Sequence, residues 1–250
     1  MSVARTLAIA LRGMHGAVVE VEADVTAAVP GLVLIGLPDA SLSEARDRVR
    51  SAAQNSGCPL PARRLTINLS PAALPKHGAS FDLAIAVVAA AAAGVIPTEL
   101  ASRTVHIGEL SLDGRLRPVS GVLPAVMEAN RIGAERIIVP HANGAEAALV
   151  PGAPVQTAVS LSEVLRHYGA DLPECAAEPL SLPHSHREAP DDSLDLADVL
   201  GQAEAVEALI TAAVGGHHVL LAGPPGAGKT MLAARLPGIL PELSVAAALE

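Results

Sequence analysis

A glycine-rich turn closed by a lysine and a threonine, Gly223-x-x-x-x-Gly228-Lys229-Thr230, stands between the apolar run Val219–Ala222 and the helix-like run Lys229–Leu236. The pattern prescribes strand, loop and helix in that order, because glycines at these spacings let backbone N–H groups turn inward around an anion. Gly223, Pro224, Pro225, Gly226, Ala227 and Gly228 form the cradle, and Lys229 reaches the β- and γ-phosphates as a point charge. The hydroxyl of Thr230 supplies one oxygen to the shell of a Mg²⁺ ion carried by the nucleotide. A turn from strand to helix needs neither the lysine nor the threonine, so the motif points to ATP and Mg²⁺ as ligands. Two lysines against fifteen arginines sharpen that reading, since Lys229 departs from the chain's own bias.

The 250 residues suffice for two domains. Phe81 and Tyr168 are the only aromatic residues, so any core is packed from Ala, Val, Leu and Ile, and platforms for stacking nucleic-acid bases are nearly absent. A net charge of −9 argues against a basic nucleic-acid-binding module overall, though it leaves room for a local patch. Cys58 and Cys175 lie far apart without a C-x-x-C partner, which suggests neither zinc nor a disulfide framework and fits a reducing cytoplasm. The run Thr6–Leu11 is short and closes on Arg12, a poor export signal. Leu83–Ile96 is apolar for fourteen residues, below the roughly twenty that cross a bilayer, so no membrane partner is expected.

Along the chain, strand-like segments (Thr6–Leu11, Ala17–Val25, Leu32–Ile35, Leu65–Leu69, Val105–Ile107, Arg136–Val139) alternate with helix-like ones (Ser41–Asn55, Leu83–Ala93, Val122–Ile132). Ser41 and Glu44 read as a capping box, and Gly57 as the stop for that helix. This alternation predicts an α/β domain over residues 1–169. Residues 170–193, rich in Pro, Glu, Asp, Ser and His, read as a linker, and its His184-x-His186 pair as solvated rather than metal-binding. A second domain over 194–250 opens with a helix at Gln202–Val214, preceding the surface-turn residues His217 and His218 and the P-loop. ATP hydrolysis needs a further strand ending in acidic residues. The twenty residues after Thr230 hold only Glu242 and Glu250 as acids, neither following an apolar strand, so the chain as written is expected to bind nucleotide weakly or not at all and not to turn it over.

With these parts in place, several ordered motifs resemble the ComM/YifB family of magnesium-chelatase-like AAA+ ATPases. They are Gly31-Leu32-Val33-Leu34-Ile35-Gly36-Leu37-Pro38-Asp39, Glu44-Ala45-Arg46-Asp47-Arg48-Val49-Arg50, Ile67-Asn68-Leu69-Ser70-Pro71-Ala72, Phe81-Asp82-Leu83, Gly108-Glu109-Leu110-Ser111-Leu112-Asp113-Gly114 and Asp195-Leu196-Ala197-Asp198-Val199-Leu200-Gly201-Gln202. The resemblance implies a Lon-protease-like, non-proteolytic N-terminal domain followed by the start of an AAA+ module that forms a hexameric ring in the complete protein. It implies DNA as a partner there, through branch migration in natural transformation, and places Gln202 near the adenine of ATP. The family's Walker B, sensor, arginine-finger and C-terminal regions have no counterpart in these residues.

A Lon-like fold raises a rival, the Ser-Lys peptidase. Pro75-Lys76-His77-Gly78-Ala79-Ser80 resembles the segment carrying the Lon nucleophile and aligns Ser80 with it. A serine needs a neighbouring base. The region matching the Lon lysine, Ser120-Gly121-Val122-Leu123-Pro124-Ala125-Val126, holds none, and Lys76 is expected in the same turn as Ser80. Ser80 therefore reads as the N-cap of the helix after it. Arg46 and Arg50 at i,i+4 spacing, with Arg63 and Arg64 nearby, could form a phosphate patch; the favoured reading pairs Arg46, Arg48 and Arg50 with Glu44 and Asp47. Asp113-Gly114 reads as a structural hairpin. Two other functions are weighed beside the nucleotide-binding one: a non-catalytic interaction domain with a vestigial P-loop, and a chelatase-like motor for porphyrin metal insertion.

Overall fold

The computed structural model describes residues 3–36, 41–74, 76, 78–173, 178–180, 194–243 and 247, with the backbone alone for 41–43. The chain divides into two compact units, Met1–Pro183 and His184–Glu250.

The first unit is built on a seven-stranded mixed sheet. Its strands are β1 (Ala4–Arg12), β2 (His15–Thr26), β3 (Gly31–Ile35), β4 (Arg64–Ser70), β5 (Thr104–His106), β8 (Arg136–Pro140) and β9 (Val155–Ala158), in the order β3-β4-β2-β1-β5-β8-β9. β1 and β2 form a long hairpin and β2 pairs antiparallel with β4; the remaining neighbours are parallel. β6 (Glu109–Leu110) and β7 (Leu116–Arg117) make the small hairpin expected around Asp113-Gly114. The helices are α1 (Ser41–Asn55), α2 (Asp82–Ala92), α3 (Thr98–Ser102), α4 (Val122–Arg131), α5 (Gly144–Ala147) and α6 (Leu161–His167).

Side-chain alternation along β1 decides how the layers pack. Ala8 and Ala10 share a core with α2, whereas Leu7, Ile9 and Leu11 share the opposite core with Val122, Val126 and Ala129 of α4. Residues 82–91 of α2 are all buried, and the alanines facing each other from β1 and α2 let the two backbones approach closely without aromatic filler. Toward β3 the second face carries Glu20, Glu22, Thr66 and Asn68, and this stretch is partly exposed. The first unit's packing continues past Gly169, since Ala170 is buried and Leu172 packs on the core.

Ser80 does not cap α2. The N-cap position is Phe81, in helical conformation and without a side-chain cap hydrogen bond. The free amides of this helix end are taken by backbone instead, Asp82 N–H by Ala79 O at 3.1 Å and Leu83 N–H by Gly108 O at 3.1 Å, so no hydroxyl is needed. The side chain of Ser41, half of the expected capping box, lies outside the described residues, as do Leu37-Pro38-Asp39, Cys175, His184 and His186.

In the second unit, α7 (Ala203–Gly215) and α8 (Lys229–Arg235) enclose a small core of Leu196, Leu209 and Leu232. Val219–Ala222 forms no strand, contrary to expectation. An apolar run becomes a strand only when a neighbour completes its hydrogen-bond ladder, and no described segment pairs with it. Leu220 is accordingly 92% exposed.

Candidate functional site

The P-loop is shaped by its glycines. Gly226 and Gly228 hold φ of +82° and +78°, values that glycine adopts without the steric cost a Cβ would bring. Among the described residues only Ala227 of the loop spends its amide on the backbone, donating to Pro224 O at 3.3 Å; the amides of Gly223, Gly226 and Gly228 have no acceptor. Unspent, exposed N–H groups on a concave turn are what an anion requires. The Lys229 ammonium folds back over the loop, donating to Gly223 O at 2.8 Å and Pro224 O at 2.7 Å. A phosphate entering the cradle would exchange those two carbonyls for its own oxygens. Thr230 is exposed on the first turn of α8, its hydroxyl unengaged among the described residues.

Gln202 stands at the base of α7 in the left-handed conformation, φ +53°, and its carbonyl accepts from Val206 N–H at 3.0 Å. Its side-chain amide lies against Gly228: a Cβ placed there would fall 2.8 Å from Gln202 Nε2. The structure thus brings the Gln202 side chain to Gly228, next to Lys229 in the chain. Asp195 caps the short 3₁₀ turn 196–198 through Ala197 N–H at 2.9 Å, and its carbonyl accepts from Arg235 Nε at 2.9 Å. These bonds tie the segment before α7 to the end of α8, behind the loop.

No group of three or more His, Cys, Asp or Glu side chains able to hold a metal exists among the described residues.

Lys76 makes no hydrogen bond to Ser80 among the described residues. It is buried, and its ammonium donates to Pro71 O at 2.6 Å, Gly36 O at 3.0 Å and Leu74 O at 3.3 Å, stapling the ends of β3 and β4. With its three protons committed to carbonyls, it cannot take one from a serine hydroxyl. Burial lowers its pKa.

The arginines of α1 follow the expected pairing only in part. Arg48 turns inward and binds buried Asp82 at the first turn of α2 through two bonds, Nε to Oδ2 at 2.7 Å and Nη2 to Oδ1 at 3.2 Å, with Glu44 a looser partner at 3.6 Å. Burial pushes Asp82 up to about 6 despite the guanidinium and the Leu110 amide. Arg46 and Arg50 make no ion pair among the described residues.

A polar chain that the sequence did not announce crosses the core. His106 is fully buried, with Nδ1 2.8 Å from Thr6 Oγ1 and Nε2 2.9 Å from the Tyr168 hydroxyl. Thr6 Oγ1 also lies 3.0 Å from Ala101 O. Since a carbonyl only accepts, Thr6 gives its proton there and receives one from Nδ1, which leaves Nε2 to accept from Tyr168. The imidazole is neutral, and burial with nearby Arg136 lowers its pKa to about 3.

Comparison with known proteins identifies the family. Residues 21–143 match the family described as subunit ChlI of Mg-chelatase, and residues 195–250 match magnesium chelatase, subunit ChlI. Over its whole length the chain is 39% identical to competence protein ComM of Haemophilus influenzae and 41% identical to YifB of Salmonella typhimurium, covering 49% and 48% of those proteins. An uncharacterized protein of Mycobacterium tuberculosis is 47% identical, again with 49% of its length covered. A Lon protease of Mycolicibacterium smegmatis is 30% identical over 141 residues, which is 54% of this chain and 18% of the relative. The chain spans about half the length of the full-length matches, with its glycine cradle falling in the second of the two chelatase-subunit regions. The chain belongs to the ComM/YifB magnesium-chelatase-like family.

Proposed function

We propose that the second unit binds ATP with Mg²⁺ and contributes the phosphate-holding half of an ATPase. The observation that carries this reading is the set of unspent amides at Gly223, Gly226 and Gly228, with Lys229 Nζ poised on the loop's own carbonyls. Lys229 would release Gly223 O and Pro224 O and follow the β- and γ-phosphates, a small movement for a flexible ammonium. Thr230 would give its hydroxyl to Mg²⁺, and Gln202 would meet the nucleotide from the α7 side, including the adenine. In the complete protein this module would assemble into a hexameric AAA+ ring, in the cytoplasm, that couples hydrolysis to movement on DNA. The similarity to competence protein ComM supports that direction. The first unit would then be a Lon-like domain put to non-proteolytic use, a reading supported by the partial likeness to Lon proteases and by a Lys76 held on carbonyls.

Titration calorimetry with MgATP, for this chain and for Lys229→Ala, tests the proposal. The expected result is Mg²⁺-dependent binding that the substitution weakens at least tenfold. Equal, negligible heats from both proteins would favour a non-catalytic interaction domain with a vestigial P-loop.

A further inference from the structure

Six of the described arginines have a carboxylate partner, Arg48 with Asp82 and Arg117 with Glu109 among them. Arg5 bonds Glu22 at 3.0 Å, Arg103 bonds Glu135 at 2.8 Å, Arg115 bonds Asp113 at 2.7 Å, and Arg131 bonds Glu128 at 2.6 Å. Arg50 and Arg63 are among the others: both are exposed and neither has a carboxylate partner among the described residues, which is also true of Arg12 and Arg64. They come from different elements, Arg50 from the last turns of α1 and Arg63 from the turn before β4, yet they line one cleft of about 380 Å³. Gln54, Gly31, Leu60 and Pro61 complete its walls, beside β3 at the edge of the sheet. One turn before Arg50, on the same helix face, Arg46 has its Nε shut off from solvent with no hydrogen-bond partner, a donor left without an acceptor.

Two guanidinium groups without counter-charges, in a chain of net charge −9, make a local site for an anion rather than a general electrostatic field. Guanidinium forks match phosphate oxygens, and the amide of Gln54 adds a donor. The cleft offers no aromatic face on which a base could stack, and its other walls are proline and aliphatic. Such a lining grips a phosphodiester backbone and ignores base identity.

We propose that the Arg50/Arg63 cleft of the first unit binds the phosphate backbone of nucleic acid without sequence preference. The site deepens the DNA part of the proposed function, and it lies in the first unit while the P-loop lies in the second, so each can fail alone.

Fluorescence anisotropy of a labelled 20-nucleotide single strand and of the matching duplex, titrated with the whole chain at several salt concentrations, tests it. The Arg50→Gln/Arg63→Gln variant should bind at least tenfold more weakly, with the slope of log K against log salt reduced by about two in magnitude for the duplex. Arg5→Gln, whose side chain is held by Glu20 and Glu22, should bind as the unaltered chain does. Both substituted positions of the double variant are exposed, and an unchanged thermal midpoint will show that its fold is intact. Absence of binding by the unaltered chain, equal affinity of the double variant, or an equal loss in Arg5→Gln each overturns the proposal. Displacement by millimolar inorganic phosphate as effective as displacement by unlabelled oligonucleotide would mean a small-anion site and overturn it too, as would equally effective displacement by polyglutamate. If MgATP binding by the same preparation is lost in Lys229→Ala while oligonucleotide binding ignores the arginines, the nucleotide reading stands and this one falls.

Discussion

At the scale of single residues, three titratable side chains buried in the first unit, Lys76, Asp82 and His106, have different energetic consequences. Lys76 exchanges water for three carbonyls; replacing it with Met removes a costly buried ammonium but strands acceptors at Pro71, Gly36 and Leu74. The second effect should win, lowering stability by about 1–3 kcal/mol in urea denaturation, because three charge-assisted bonds that tie the end of β3 to the end of β4 are lost at once. A midpoint that stays put or rises would show that the staple contributes nothing. Asp82 and His106 act through protons. Asp82 titrates near 6 when folded, above its ordinary 3.8, so its contribution to stability is full below 3.8 and is lost as pH rises through 6. His106 is the reverse: its folded value near 3 lies below 6.5, so its contribution is present above 6.5 and is lost as pH falls toward 3. Between pH 6.5 and 4 the two slopes oppose each other. Asp82→Asn removes one of them, and the variant should lose roughly 2 kcal/mol more than the unaltered chain on going from pH 7 to 4.5, because each tenfold gain in proton affinity on folding is worth about 1.4 kcal/mol. Parallel pH profiles for the two proteins would contradict this assignment.

At the scale of elements, the P-loop depends on a close approach between the start of α7 and the start of α8. A methyl group at Gly228 would meet Gln202 Nε2 at 2.8 Å and Met231 Cε at 3.3 Å, at a φ of +78°, whereas a methyl group at Gly226, φ +82°, would meet nothing. Both Ala variants should strain the loop, by about 1–2 kcal/mol from the backbone alone. Gly228→Ala should lose more MgATP affinity than Gly226→Ala, and Gln202→Ala should restore part of that excess. Additive effects of Gly228→Ala and Gln202→Ala would show that the amide and the glycine are not coupled. This junction illustrates what the sequence could reveal. The spacing from Gly223 to Thr230 announces the loop, and period-two alternation announces β1, β2 and β4, because both patterns are local. β9 gives no such signal because Val-Gln-Thr-Ala is short and lies at a sheet edge, and α6 none because its seven residues span under two turns. Val219–Ala222 reads as a strand from its apolar character alone, although strand formation depends on a neighbour. Ser80, Lys76 and Arg48 share that non-local character: the Gly108 carbonyl, the Gly36 carbonyl and Asp82 that decide their roles lie 28, 40 and 34 positions away in the chain or serve the adjoining helix end. The Thr6–His106–Tyr168 chain spans 162 positions and carries no local signal at all.

At the scale of the whole molecule, the two units differ in how much apolar surface they remove from water. The first has a core on each face of its sheet, one of them carrying the ion pair from α1 to α2 and the His106 chain; the second has three buried leucines and leaves Leu200 and Leu220 each 92% exposed. Hydrophobic stabilisation scales with buried area, so the P-loop unit should open at a lower temperature and with less cooperativity than the first. Calorimetry of the chain should therefore show two transitions rather than one. Leu209→Ala, which removes three of the four carbons of a fully buried side chain from the smaller core, should lower or erase the first transition and leave the second in place. Ile138→Ala, in the middle of β8, should lower only the second. MgATP adds a sharper criterion, because a ligand raises the melting point only of the unit that binds it: saturating nucleotide should move the first transition upward and leave the second where it was. A single transition shifted alike by both substitutions and by nucleotide would mean that the chain folds as one cooperative body. In that event occupancy of the glycine cradle would be felt directly as stability of the sheet.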